Sequence, residues 1–183
     1  MRMFTACCLL LGVMLAAPAQ AASNVLARVG QWEAYHTVAN DGGQICGILQ
    51  FNNGLGLLIK MNQARQAFVH LSNDGWVVPK NARMEVSFVV DGAQVARLPF
   101  TATNLPSMIE GNLAPEQAAM LLDRFALGRQ MTIHFLTGDE GAWNVPLRGT
   151  YQIAQAFFRC LSTSLRSRQP FGASAQQPQS QPF

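Results

Sequence analysis

RMEVSFVV (83–90) and QVARLPF (94–100), joined through Asp91-Gly92, decide the fold class of this chain. In the first run Met84, Val86, Phe88 and Val90 share one face and Arg83, Glu85 and Ser87 the other. A period of two puts alternate side chains on opposite faces of a strand, one buried and one wet. An aspartate-glycine pair between two such runs supplies the positive φ of a tight hairpin turn. The pattern repeats outward. Met131, Ile133 and Phe135 oppose Thr132 and His134, and Leu55, Leu57, Ile59 and Met61 oppose Lys60 and Asn62. Turn-forming clusters punctuate the chain at 40–43, 52–54, 73–75, 91–92 and 138–141. Between them the sequence predicts strands over 31–38, 44–51, 56–61, 66–71, 83–90, 94–100, 130–136 and 142–147.

Two segments break the alternation. At 115–127, Pro115 suits a first helical position, Glu116 favours the positive first turn, and Ala118, Leu121, Leu122 and Phe125 recur at helical spacing up to Gly128. At 151–162, behind Thr150 as N-cap, Ala154, Phe157, Phe158 and Leu161 form the expected apolar stripe, opposite Gln152, Gln155, Arg159 and Ser162. The expected fold is mainly β: an antiparallel β-sandwich or partly open barrel with two short α-helices at about 115–127 and 151–162. Gly54 and Gly56 read as a turn glycine and a close-packed strand glycine, because no third glycine, following helix or βαβ context makes them a dinucleotide site.

The ends differ from this domain. Arg2, the uncharged apolar run FTACCLLLGVMLAA (4–17) and the small residues Ala19 and Ala21 have the layout of a secretory signal peptide over 1–21, cut after Ala21 or Ala22. The apolar run is too short for a membrane anchor. Cys7 and Cys8 stand at its start, where a lipidated cysteine would stand at its end. The composition shifts after Leu165 to Gln, Pro, Ser and Ala, which predicts a disordered tail over 165–183. A single β-rich domain over 22–164 remains, with no stable membrane span after signal removal, and the expected location is periplasmic or secreted. A net charge of +3 with only two lysines, Lys60 and Lys80, and no basic run speaks against a nucleic-acid partner. Of the four cysteines, the leader carries off Cys7 and Cys8. Cys46 and Cys160 are then expected to form one disulfide, the alternative being two buried free thiols. Without Cys-x-x-Cys spacing, its role reads as structural rather than redox.

Chemistry is hard to find in the pattern. The three histidines, His36, His70 and His134, all fall in expected strands. No Gly-x-Ser-x-Gly elbow exists, and Ser72, Ser87 and Ser107 have no telling context. No paired His or Cys spacing proposes a metal site. Glu33, Asp41, Asp74, Glu85, Asp91, Glu110, Asp139 and Glu140 lie mostly in turns, where acidic side chains bond local backbone. Trp32, Trp76 and Trp143 read as packing residues rather than carbohydrate or lipid platforms. The site expectation is therefore no catalytic, metal or cofactor-binding residue, only the Cys46 and Cys160 bridge.

GQW (30–32), Cys46 in the second strand, GWVVP (75–79), LGRQMTIHF (127–135), WNVPLRGT (143–150) and FFRC (157–160) together carry a family likeness. The chain resembles the invasion-associated locus B family of exported bacterial proteins over residues 30–162, chiefly at Trp32, Cys46, Gly128, Trp143, Leu147, Gly149 and Cys160. The resemblance implies a small β-sandwich of the periplasm or cell surface, linked to host-cell or envelope interactions, with no established catalysis. Members often carry a further cysteine soon after the first tryptophan. Here WEAYHT (32–37) has none. The shared positions mark the fold, so the resemblance carries over no functional residue.

The expected function is that of an exported non-enzymatic protein acting through protein–protein interaction, with loops 39–43, 73–81 and 101–114 presented for contact. One alternative is a small-ligand or lipid-binding barrel lined by Phe51, Phe88 and Phe100. A second is a hydrolase with a dispersed site based on His70 or His134.

Overall fold

The computed structural model describes residues 23–164. The expected leader (1–21) and tail (165–183) lie outside the described residues. Ten strands and two helices follow in order: β1 (Asn24–Val29), β2 (Trp32–Val38), β3 (Gln44–Asn52), β4 (Leu55–Asn62), β5 (Ala67–Asn73), β6 (Arg83–Val90), β7 (Ala93–Ala102), β8 (Met108–Leu113), α1 (Pro115–Leu127), β9 (Gln130–Phe135), β10 (Trp143–Pro146) and α2 (Thr150–Ser164). The fold is mainly antiparallel β with two helices, as the alternation predicts.

All ten strands join one sheet in the order β1-β2-β3-β4-β5-β8-β7-β6-β9-β10. The first five form a meander. The chain then leaves β5, returns as β6 three places away, and comes back through β7 to lay β8 beside β5. This is a Greek key, in which three hairpin-connected strands and a fourth close on each other by a long connection. The sheet does not close into a barrel by backbone pairing. Its far end still meets its beginning through side chains: Trp32 Nε1 donates to Pro146 O at 3.1 Å, and residues of β3, β4 and β10 line one shallow cleft.

The inward faces supply the core, including the fully buried Ile48, Ile59, Leu71, Phe88, Phe100 and Ile133. Both helices pack against it, α2 on β1–β3 and α1 on β6–β8, and they touch each other. Trp32 meets Phe125 of α1 edge-on, with centroids 4.8 Å apart. Cys46 of β3 and Cys160 of α2 are bonded, with Cα atoms 6.0 Å apart, so the last helix is tied covalently to an early strand. Gly54 sits at φ 79°, a conformation that L side chains rarely adopt, and a Cβ on Gly56 would run into Ser72 Oγ. Both glycines therefore serve as turn and close-packing residues.

Several expectations need correction. β1 was not anticipated: a bulge between Val25 and Ala27 breaks its alternation, and most of it is exposed. The expected loop 101–114 contains β8, where Ile109, Gly111 and Leu113 face inward and Met108, Glu110 and Asn112 outward. A glycine in the inward row hides the apolar alternation. The second helix spans 150–164 rather than 151–162, and Thr150 is not a side-chain N-cap. Its hydroxyl lies within hydrogen-bond distance of two carbonyls, Phe125 O at 2.6 Å and Leu147 O at 2.7 Å, which pins the helix start to the end of α1. Phe158 is exposed, and Ile153 and Ala156 take its expected place in the buried stripe beside Ala154, Phe157 and Cys160. α1 keeps its expected bounds and its buried set, Ala118, Leu121, Leu122 and Phe125.

Candidate functional site

Two clefts, each lined in part by the connection between β5 and β6, hold the side chains with the most to offer a ligand. The first is aromatic. Beyond β5, Asn73 Oδ1 accepts the Gly75 N–H at 2.9 Å, an Asx turn that brings Trp76 back over the sheet. The Val78 N–H donates to Pro106 O at 2.7 Å and anchors the rest of the connection. Trp76 thereby stacks on Trp143, with centroids 5.4 Å apart and planes 26° apart, while Phe135 meets both rings edge-on. Glu140, in the loop between β9 and β10, takes both indole N–H groups: Trp76 Nε1 donates to one carboxylate oxygen at 2.6 Å and Trp143 Nε1 to the other at 2.7 Å. Charge-assisted bonds of this kind are short and strong, and they fix both rings.

Trp76, Val77, Val78, Met84, Phe135 and Glu140 contribute to the walls of a cleft of about 350 Å³. Val77 stands at its edge, 86% exposed. The arrangement can take an apolar side chain against rigid aromatic faces whose polar edges are already satisfied. Glu140, which falls in the turn cluster expected at 138–141, is the clasp of this cluster. Trp32 and Trp143 are buried as expected, whereas Trp76 is only partly covered.

The second cleft, about 580 Å³, is polar and is lined among others by His70, Lys80, Thr103, Asn104, Met108 and Glu110. His70 and Glu110 are direct register partners across β5 and β8. His70 Nε2 lies 2.8 Å from Glu110 Oε2, but the carboxylate is off the N–H direction, so this nitrogen makes no hydrogen bond. Nδ1 lies 3.4 Å from Met108 Sδ. Lys60 Nζ approaches the same Glu110 oxygen at 3.9 Å. The imidazole is 6% exposed. Burial, aided by the Lys60 ammonium, pushes its pKa down to about 4, so the ring is neutral near pH 7.

The structure does not bring the expected histidine bases together. His70 is on β5 and His134 on β9, with β8, β7 and β6 between them. His134 faces Ser87 in register, yet the Ser87 hydroxyl turns to Gln94 Oε1 at 3.1 Å. His36 Nε2 pairs with Gln44 Oε1 at 2.7 Å. His70 meets a carboxylate and a thioether, not a hydroxyl. The barrel lining is not assembled either: Phe88 and Phe100 pack in the filled core with centroids 6.2 Å apart, and Phe51 is 54% exposed. Asp91 acts locally. Its carboxylate accepts the backbone N–H groups of Arg129 and Gln130, each near 3.0 Å, and these bonds hold its pKa below the usual aspartate value.

Met108 and Glu110 were the residues least visible in the sequence, because they lie in the stretch expected to be loop. The alternation of MIEGNL (108–113) was the available signal. Among the described residues no three His, Cys, Asp or Glu side chains converge as a metal-binding group, and no helix is long and apolar enough to cross a membrane. No family model, curated protein or solved structure matches this chain.

Proposed function

We propose that this is an exported, periplasmic or secreted, non-enzymatic protein that acts by binding another protein, and that the Trp76 cleft is its contact surface. The observation that carries this reading is the pair of indoles clasped by Glu140 beside the exposed Val77. Tryptophan anchors dominate binding energy at interfaces, and rigid ones lose little entropy on association. The cleft holds one or two side chains, and Asp139 on its rim adds an exposed carboxylate. The fitting partner is an extended segment with an aliphatic or aromatic anchor flanked by a basic residue. A disulfide-clamped sandwich with a leader-like N-terminus suits an oxidising compartment. The likeness to the invasion-associated locus B family points the same way.

A photo-crosslinking residue at Val77 of the full chain, expressed in a bacterium with an envelope, tests this. A matching probe at Arg65, on the turn at the opposite end of β5, is the control. One recurring adduct is expected from position 77, none from 65, and at least tenfold less from position 77 when Trp76→Ala is added in a variant that melts as one folded unit. No adduct at 77, equal labelling at both sites, or an adduct indifferent to Trp76→Ala ends this reading.

A further inference from the structure

The Trp76 cleft carries negative charge that nothing in the protein balances. Asp139 and Glu140 both line it, and no lysine, arginine or histidine does. Lys80, the one basic residue in the connection between β5 and β6, lines the other cleft. Among the described residues no basic side chain forms an ion pair with either carboxylate. Glu140 is only partly exposed, so water solvates it incompletely, and its two bonds from indole N–H groups leave the charge in place.

The walls suit a cation. Trp76 and Phe135 both line the cleft, with centroids 5.7 Å apart and planes 87° apart, so the two rings make a corner. Trp143 does not line it and stacks behind Trp76. Negative potential over an indole face attracts cations. An N–H bonded to a carboxylate is polarised, which pushes electron density back into its ring, and both indoles are bonded in this way.

We propose that this corner seats a guanidinium group, the side chain of an arginine in the partner segment. The seat takes up the basic residue expected of that partner, and so rests on the cleft being a contact surface. A guanidinium is planar and weakly hydrated, stacks on aromatic faces and carries five N–H donors. The exposed carboxylate of Asp139 can accept two of them in parallel, and each Glu140 oxygen keeps a lone pair beyond its indole bond. A quaternary ammonium has no donor for these acceptors. A lysine ammonium neither stacks flat nor matches a carboxylate in bidentate fashion.

The folded, disulfide-intact protein is titrated by NMR with three probes: N-acetyl-arginine amide, the citrulline analogue as its uncharged isostere, and the lysine analogue. The arginine probe should shift the indole N–H signals of Trp76 and Trp143. The citrulline probe should bind about tenfold more weakly, and the lysine probe about threefold more weakly. Asp139→Asn, at an exposed loop position, should weaken the arginine probe about threefold, while Asp123→Asn, exposed on α1, should change nothing. No shift with the arginine probe, equal binding of the citrulline or lysine probe, or indifference to Asp139→Asn would overturn the assignment. A Val77 adduct without arginine binding would overturn it while leaving the partner reading intact. Arginine binding without a Val77 adduct would support the guanidinium seat and end the partner reading.

Discussion

His70 and Glu110 stand directly opposite each other on β5 and β8, although two whole strands of chain separate them. Pairing them places a buried ring between a carboxylate and a thioether, on the outer face of a sheet whose inner face is the core. The polar cleft exists because of that register.

This pairing has a consequence for acid stability. The ring's pKa falls from the ordinary 6.5 to about 4 on folding, mainly through burial and secondarily through Lys60. The native state therefore binds the proton more weakly than the unfolded chain. The stabilisation is fully present above pH 6.5 and drains away as pH falls towards 4. Urea unfolding across that window should show a steeper loss of stability in the parent than in His70→Gln, by up to about 1.4 kcal/mol per pH unit. Parallel slopes for the two proteins would count against the burial argument.

The Cys46–Cys160 bridge joins residues 114 apart in sequence, and it restricts the unfolded chain more than a short loop would. Cys160→Ser should cost about 2–5 kcal/mol in urea unfolding, and reductant should reproduce that loss in the parent while leaving the variant unchanged. Identical midpoints with and without reductant would show that the bridge contributes nothing.

Gly111 sits at an inward position of β8, where a Cβ would lie 2.7 Å from Phe100 Cε2 and 2.9 Å from Leu98 Cδ1. Phe100 is fully buried, so its ring cannot turn out towards solvent to make room. Gly111→Ala should destabilise by about 1–3 kcal/mol through overpacking. Gly141→Ala, whose added methyl meets nothing within 4 Å, is the control and should stay close to the parent. Equal melting temperatures for the two variants would contradict the packing seen around Phe100.

Local patterning was legible wherever one face of an element is uniformly apolar. The row Met84, Val86, Phe88, Val90 and the helical set Ala118, Leu121, Leu122, Phe125 both point into the structure as the sequence predicts, since burial of one face is what the spacing encodes. The pattern failed where that face is interrupted. Gly111 stands in the inward row of β8, the bulge after Val25 shifts the row of β1, and Phe158 is apolar yet exposed. The two cysteines could be matched without structure, because removal of the leader expected over 1–21 would leave only that pair.

By itself, then, the sequence determined that the chain is β-rich with two helices, and it placed every element but β1 and β8 to within one or two residues at each end. Hydrophobic period is a property of neighbouring residues. Only the tertiary structure decided that β8 returns to β5, so that Met108 and Glu110 flank His70, and that the β9–β10 loop carries Glu140 to two indoles. Those meetings depend on which strand edges pair across a long connection. That choice is made by the packing of the whole core, and no local spacing encodes it.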